Sequence, residues 1–155
     1  AARGPLISGY TREPEVLMSE SIAGSCLCGA VRFEVRPPWL AFQYCHCSRC
    51  RKTSGSAHAA NLFVAPDQLA WTAGEEHVRC YELPTARFFN HGFCEVCGSS
   101  MPWLSRTGRA WIVPAGTLDQ DPGEVPQRAI YWDSRAPWFV STAELERHAE
   151  LPPRR

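Results

Sequence analysis

The chain has 155 residues, 45% of them hydrophobic and six of them tryptophan, which is enough apolar material for a folded core and too much for a disordered polypeptide. Sixteen basic residues balance sixteen acidic ones, so no charge excess points to nucleic acid or to an anionic membrane surface. No apolar run approaches the ~20 residues a membrane helix needs, and the N-terminal stretch lacks the basic lead and apolar core of a signal peptide, so the expectation is a cytoplasmic protein without a membrane partner.

Residues 1–20 carry scattered charge without periodicity and are expected to be a leader or disordered tail. Residues 21–149 are expected to form one domain, with 150–155 as a C-terminal tail. From Ala30 the run AVRFEV alternates apolar and polar residues, the period of a half-buried strand, and Pro37 and Pro38 stop it. The stretch YCHCSRC follows, and SRCRKTSG has room for a helical turn or two before Gly55. HAANLFVA then reads as a strand closed by the turn-forming Pro66 and Asp67. QLAWTAG, HVRCYEL and ARFFNHGF are three further strand-like segments, and RAWIVPAGTL is the last. STAELERHAE is the one convincing helix, with Ser141 or Thr142 able to cap it and Glu144 able to answer. The class is mainly β, with short strands, long loops and little burial per strand. Such a build needs a staple.

The cysteines suggest one. Cys26 and Cys28 stand in SCLCG, Cys45, Cys47 and Cys50 in YCHCSRC, and Cys94 and Cys97 in FCEVCGS, with Cys80 alone. In a reducing compartment close-spaced thiols are metal ligands or catalytic groups more often than disulfides, which a secreted chain would favour instead. A Cys-x-x-Cys followed by glycine lets both sulfurs converge on one ion. Structural zinc takes four ligands, so the late pair joined to an upstream group fills one closed site, although spacing alone does not say which group. Three thiols would then remain, and three protein ligands with an open fourth position is how catalytic zinc is usually held. Two purely structural zincs are the plain alternative. His46, between two of the cysteines, is expected to point away, toward solvent or into the surroundings of the site. Cys80 lies in a strand pattern without partner spacing and reads as a buried, inert thiol.

The order of GSCLCGAVRFEV, YCHCSRCRKTSGS, FCEVCGS and AGTLDQDPGEVPQRAIYWDSRAPW resembles the glutathione-dependent formaldehyde-activating enzyme family, to which centromere protein V-like proteins also belong. The resemblance implies a zinc-stapled β-tent of short antiparallel strands with one or two short helices. It implies a structural zinc on Cys26, Cys28, Cys94 and Cys97 and a second zinc, associated with activity, on Cys45, Cys47 and Cys50; three ligands hold an ion less firmly than four, so this second zinc is expected to be the labile one. It further implies a carbon–sulfur lyase-type reaction joining formaldehyde to glutathione, as in S-(hydroxymethyl)glutathione synthase.

A metal at an open three-thiol site can take up a small thiol and polarise a carbonyl, so this chemistry suits the residues. Arg51 and Lys52 can pair with carboxylates of a peptide-like thiol, and Ser54 can lend a donor; a solvated basic turn is the bland reading of all three. Trp132 and Trp138 read as core or cavity-wall aromatics, and Asp133 and Arg135 as a local ion pair. The five histidines are scattered, and none stands out as a general base. Two non-enzymatic readings compete: a zinc-stapled protein-binding module, and a thiol or metal sensor with the labile zinc as its signal.

Overall fold

The computed structural model describes residues 20–153. The expected leader therefore lies, but for Glu20, outside the described residues. In chain order the strands are β1 (Ile22–Ser25), β2 (Arg32–Val35) and β3 (Ala41–Cys45), then the helix α1 (Ser48–Ser54). After it come β4 (Ala59–Val64), β5 (Leu69–Ala73), β6 (Val78–Glu82) and β7 (Asn90–Cys94). The series ends with β8 (Ser100–Met101), β9 (Trp103–Leu104), β10 (Trp111–Pro114) and β11 (Arg128–Ile130). The mainly β class is as expected. The expected strands in AVRFEV, HAANLFVA, QLAWTAG, HVRCYEL and RAWIVPAGTL are all present, and ARFFNHGF becomes extended only from Asn90.

Three sheets result, ordered β1-β2-β5, β11-β3-β4-β10-β9 and β6-β7-β8. Pairing is antiparallel except between β11 and β3, which run parallel with Ile130 opposite Cys45. Among the described residues five strands lie outside the segments expected from the sequence: β8 and β9, of two residues each, and β1, β3 and β11. The segments of the last three, IAGS, AFQYC and RAI, are short and lack clean alternation, so partners rather than propensity make them strands.

Alternation within strands sorts the core from the opposite face. Phe33 and Val35 of β2, Phe42 of β3, Leu62 and Val64 of β4 and Val113 of β10 are buried together with Cys26, Cys94 and Met101. Gln43, Cys45, Asn61, Phe63 and Ile112 occupy the alternate positions and therefore face the other side of the five-stranded sheet.

The expected helix STAELERHAE is a single 3₁₀ turn, Thr142–Glu144. Ser141 does cap it, its Oγ accepting from the Ala143 N–H at 3.3 Å. Every residue from 141 to 150 is exposed, so among the described residues the segment has no buried face, and a helix of that length without one is marginal in water. Cys80 is also corrected: it is exposed, on the edge strand β6 rather than in the core.

Candidate metal centre

Seven of the eight cysteines form two groups, and all eight thiols are free. In the first group the sulfurs of Cys26, Cys28, Cys94 and Cys97 all lie within 4.8 Å of one another. Two tight turns bring them there. Gly29 and Gly98 both adopt φ of +75°, a conformation that disfavours any side chain, and their N–H groups donate to the carbonyls of Cys26 and Cys94 at 2.9 and 2.8 Å. The turns are tied together by the Leu27 N–H donating to Ser99 Oγ at 3.0 Å. The group joins the end of β1 to the end of β7, and so the first sheet to the third.

The donor set suits a metal. The Val31 N–H donates to Cys26 Sγ at 3.3 Å, as a thiolate ligand requires, and Cys97, 3.3 Å from Ser99 Oγ, is held down to about 5 chiefly by that contact. Four convergent thiols without a disulfide match a closed tetrahedral site.

The second group is Cys45, Cys47 and Cys50, again within 4.8 Å of one another. Cys45 ends β3. Cys47 is the N-cap of α1, its sulfur accepting from the Cys50 N–H at 3.4 Å, and Cys50 lies in the first turn. Within this trio the neighbouring Cys50 side chain holds Cys45 down to about 6, and Cys45, together with burial, pushes Cys50 up. Three convergent thiols offer a metal anionic ligands, and among the described residues no fourth cysteine, histidine or carboxylate joins them.

His46 is absent from this group. Its ring is only 1% exposed and points away, among His58 at 5.0 Å, Trp132 at 5.0 Å and Phe139 at 5.1 Å. It is thus not solvent-exposed, and burial, with the neighbouring His58 charge, holds its pKa below the usual histidine value. Trp132 packs edge-on against it but is itself exposed, as is Trp138, so neither is the core or cavity-wall aromatic expected. Arg135 does not pair with Asp133. Its guanidinium stacks over Trp132 at 4.8 Å.

All three thiols of the second group line a cavity of about 670 Å³ on the face of the five-stranded sheet opposite the core. Gln43, Asn61, Phe63, Ile112 and Ile130 form its floor, the loop before β7 supplies Thr85 to Phe89, and β7 supplies Asn90. Two exposed arginines, Arg49 and Arg87, are in the lining and no aspartate or glutamate is, so the cavity favours anions. Neither Arg51 nor Lys52 lines it. The Arg51 Nε is buried without a partner, and Lys52 is exposed. Ser54 Oγ donates to the Cys50 carbonyl at 2.8 Å and lines a neighbouring smaller cavity. Sequence reasoning missed Arg49, Arg87 and Asn61. Nothing in TARFF marks Arg87, but a carboxamide inside the otherwise apolar AANLFV is a legible anomaly.

The family model for glutathione-dependent formaldehyde-activating enzyme matches residues 21–134, a span that contains both cysteine groups and the cavity floor. The chain belongs to this enzyme family. A Halomonas elongata protein, provisionally named a glutathione-dependent formaldehyde-activating enzyme, is 33% identical over 134 residues, covering 81% of this chain and 85% of that one. A crystal structure of a Rhodobacter sphaeroides protein is similar with a TM-score of 0.54 and 28% identity, covering 68% of this chain and 98% of that one. No helix among the described residues is long and apolar enough to cross a membrane.

Proposed function

We propose that the protein is a zinc-dependent carbon–sulfur lyase-type enzyme that interconverts formaldehyde and glutathione with S-(hydroxymethyl)glutathione. In this reading Cys26, Cys28, Cys94 and Cys97 hold a structural zinc, and Cys45, Cys47 and Cys50 hold the zinc at which the substrates meet. The protein works in a reducing compartment such as the cytoplasm, where its thiols stay available. One observation carries the reading: three convergent thiols form part of the wall of a cavity that has arginines but no acid in its lining.

When bound, a zinc ion there supplies Lewis-acid polarisation and acidifies a thiol. The chain's own residues bind and orient. Arg49 and Arg87 have no acidic partner among the described residues, which leaves them for the carboxylates of a peptide thiol. Phe63, Phe89, Trp103 and Ile112 line the same space and limit water around the reacting atoms. A cavity of this size suits a tripeptide-sized ligand. The addition balances simply: the thiol sulfur bonds to the aldehyde carbon, the C=O π pair moves to oxygen, and that oxygen takes the proton the thiol gave up.

The test combines metal content with activity. Wild-type protein is expected to hold one zinc per cysteine group, and Cys47→Ser to lose one of the two while still melting cooperatively through the remaining staple. Millimolar glutathione should change the X-ray absorption spectrum of the second zinc, and formaldehyde exchange with its glutathione adduct, followed by NMR, should exceed the spontaneous rate in wild type alone. A spectrum of four protein ligands, unchanged by thiol, refutes the reading. Thiol binding without faster exchange leaves the sensor standing in its place.

A further inference from the structure

Two cavities meet beside the three-thiol group. The smaller, about 260 Å³, is lined by residues that include Ser54, His58, His91 and Thr117. Four residues belong to the walls of both: Cys50, Asn61, Phe89 and Trp103. Phe89 has no polar side-chain atom, and the Trp103 Nε1 is closed off from solvent. Asn61 is therefore the polar group at the passage between them, next to a sulfur of the candidate metal site.

Its environment is unusual. Asn61 is only 6% exposed, yet among the described residues no protein hydrogen bond reaches its carboxamide. Its carboxamide atoms are not among the fully enclosed unpartnered ones, so they open onto the cavities where a ligand can meet them. Strand alternation explains the direction: Leu62 and Val64 enter the core, so Asn61 and Phe63 face the cavities. Gln43, directly opposite on β3, also lines the larger cavity and also has no side-chain partner among the described residues. Cys45 lies two residues farther along the same face. Two free carboxamides thus share a sheet face with a thiol of the candidate metal site.

We propose that Asn61 is a catalytic residue for the carbon–sulfur chemistry, its side-chain N–H donating to the oxygen that originates in the aldehyde. The inference rests on the function proposed above. The cavity sizes orient the adduct: the peptide fits the larger, arginine-bearing space, and the one-carbon end reaches the passage where Asn61 stands. As the sulfur–carbon bond forms, the oxygen gains charge before it gains its proton. A donor held in place by the sheet stabilises that charge more than it stabilises the neutral carbonyl, and it serves adduct breakdown equally. A carboxamide here can instead read a peptide bond of the thiol, and the experiment separates the two roles.

The variants are Asn61→Leu, which keeps the bulk and removes the donor, and Asn61→Ala, which covers the case in which leucine packs badly. Circular dichroism melts establish which of them folds. Adduct exchange is followed by NMR, and affinity is measured for S-(hydroxymethyl)glutathione, formed in excess formaldehyde, and for the isosteric S-ethylglutathione. The expected result is a fall in exchange rate of about 100-fold, the usual loss for one such donor. The preference of wild type for hydroxymethyl over ethyl should vanish, with S-ethylglutathione binding unchanged. Equal weakening of both ligands overturns the proposal in favour of peptide reading, and an unchanged rate and preference overturn it outright. Wild-type protein that binds neither ligand refutes the proposed function itself and the Asn61 assignment with it.

Discussion

Replacing Cys94 by serine should remove stability comparable to the whole of what a domain of this size possesses. Cys94 is fully buried, at the end of β7 in the first thiol group. The third sheet has little else to hold it. No residue of β6 is buried, β7 buries only Asn90, Gly92 and Cys94, and β8 adds Met101. Burying a methionine side chain contributes about 1.5–3 kcal/mol. A structural zinc bound by a folding peptide contributes about 10–16 kcal/mol, against a typical total stability of about 5–15 kcal/mol. A hydroxyl in place of a thiolate gives up most of that binding. If the first thiol group holds the proposed zinc, Cys94→Ser loses it and either fails to fold or releases β6–β8 while the five-stranded sheet persists. Metal content by mass spectrometry, thermal melting and hydrogen exchange resolve these outcomes, and a strong chelator should reproduce them in wild type. A soluble variant with unchanged zinc and a melting temperature within about 3 °C of wild type, the shift expected from roughly 1 kcal/mol, refutes the reasoning.

Arg49→Ala and Arg87→Ala should each raise KM for glutathione about three- to tenfold with kcat nearly unchanged, because exposed charge pairs contribute to binding modestly and equally in ground and transition states. Lys52→Ala, outside the cavity, should leave both constants alone, and steady-state kinetics with glutathione distinguishes the three. The ring of His91 packs edge-on against Trp103 at 5.3 Å, and burial holds its pKa below the ordinary value of 6.5. Below pH 6.5 the unfolded chain takes up a proton there that the folded chain refuses, so this contribution to stability is present above 6.5 and is lost as pH falls toward the depressed value. Melts between pH 7.5 and 5.5 should show a smaller loss for His91→Phe than for wild type; equal losses contradict the assignment.

The chemistry of this protein was legible in its sequence wherever it is local. Cys-x-Cys-Gly and Cys-x-x-Cys-Gly force their own turns, and the order of the cysteine groups carried the family resemblance. AVRFEV and HAANLFVA show in their alternation which residues enter the core, because side chains of a strand alternate faces whatever the partner. The helix read into STAELERHAE fails for the complementary reason. Capping and propensity are weak terms, and without a packed face they leave one turn at Thr142–Glu144. Cys80 looked buried because its strand pattern does not reveal that β6 is an edge. The cavity is wholly tertiary. Gln43, Asn61 and Ile112 come together through the register of β3, β4 and β10, and Arg87 arrives from the loop before β7. Register and sheet order depend on contacts between segments tens of residues apart, and no local pattern of residues encodes them.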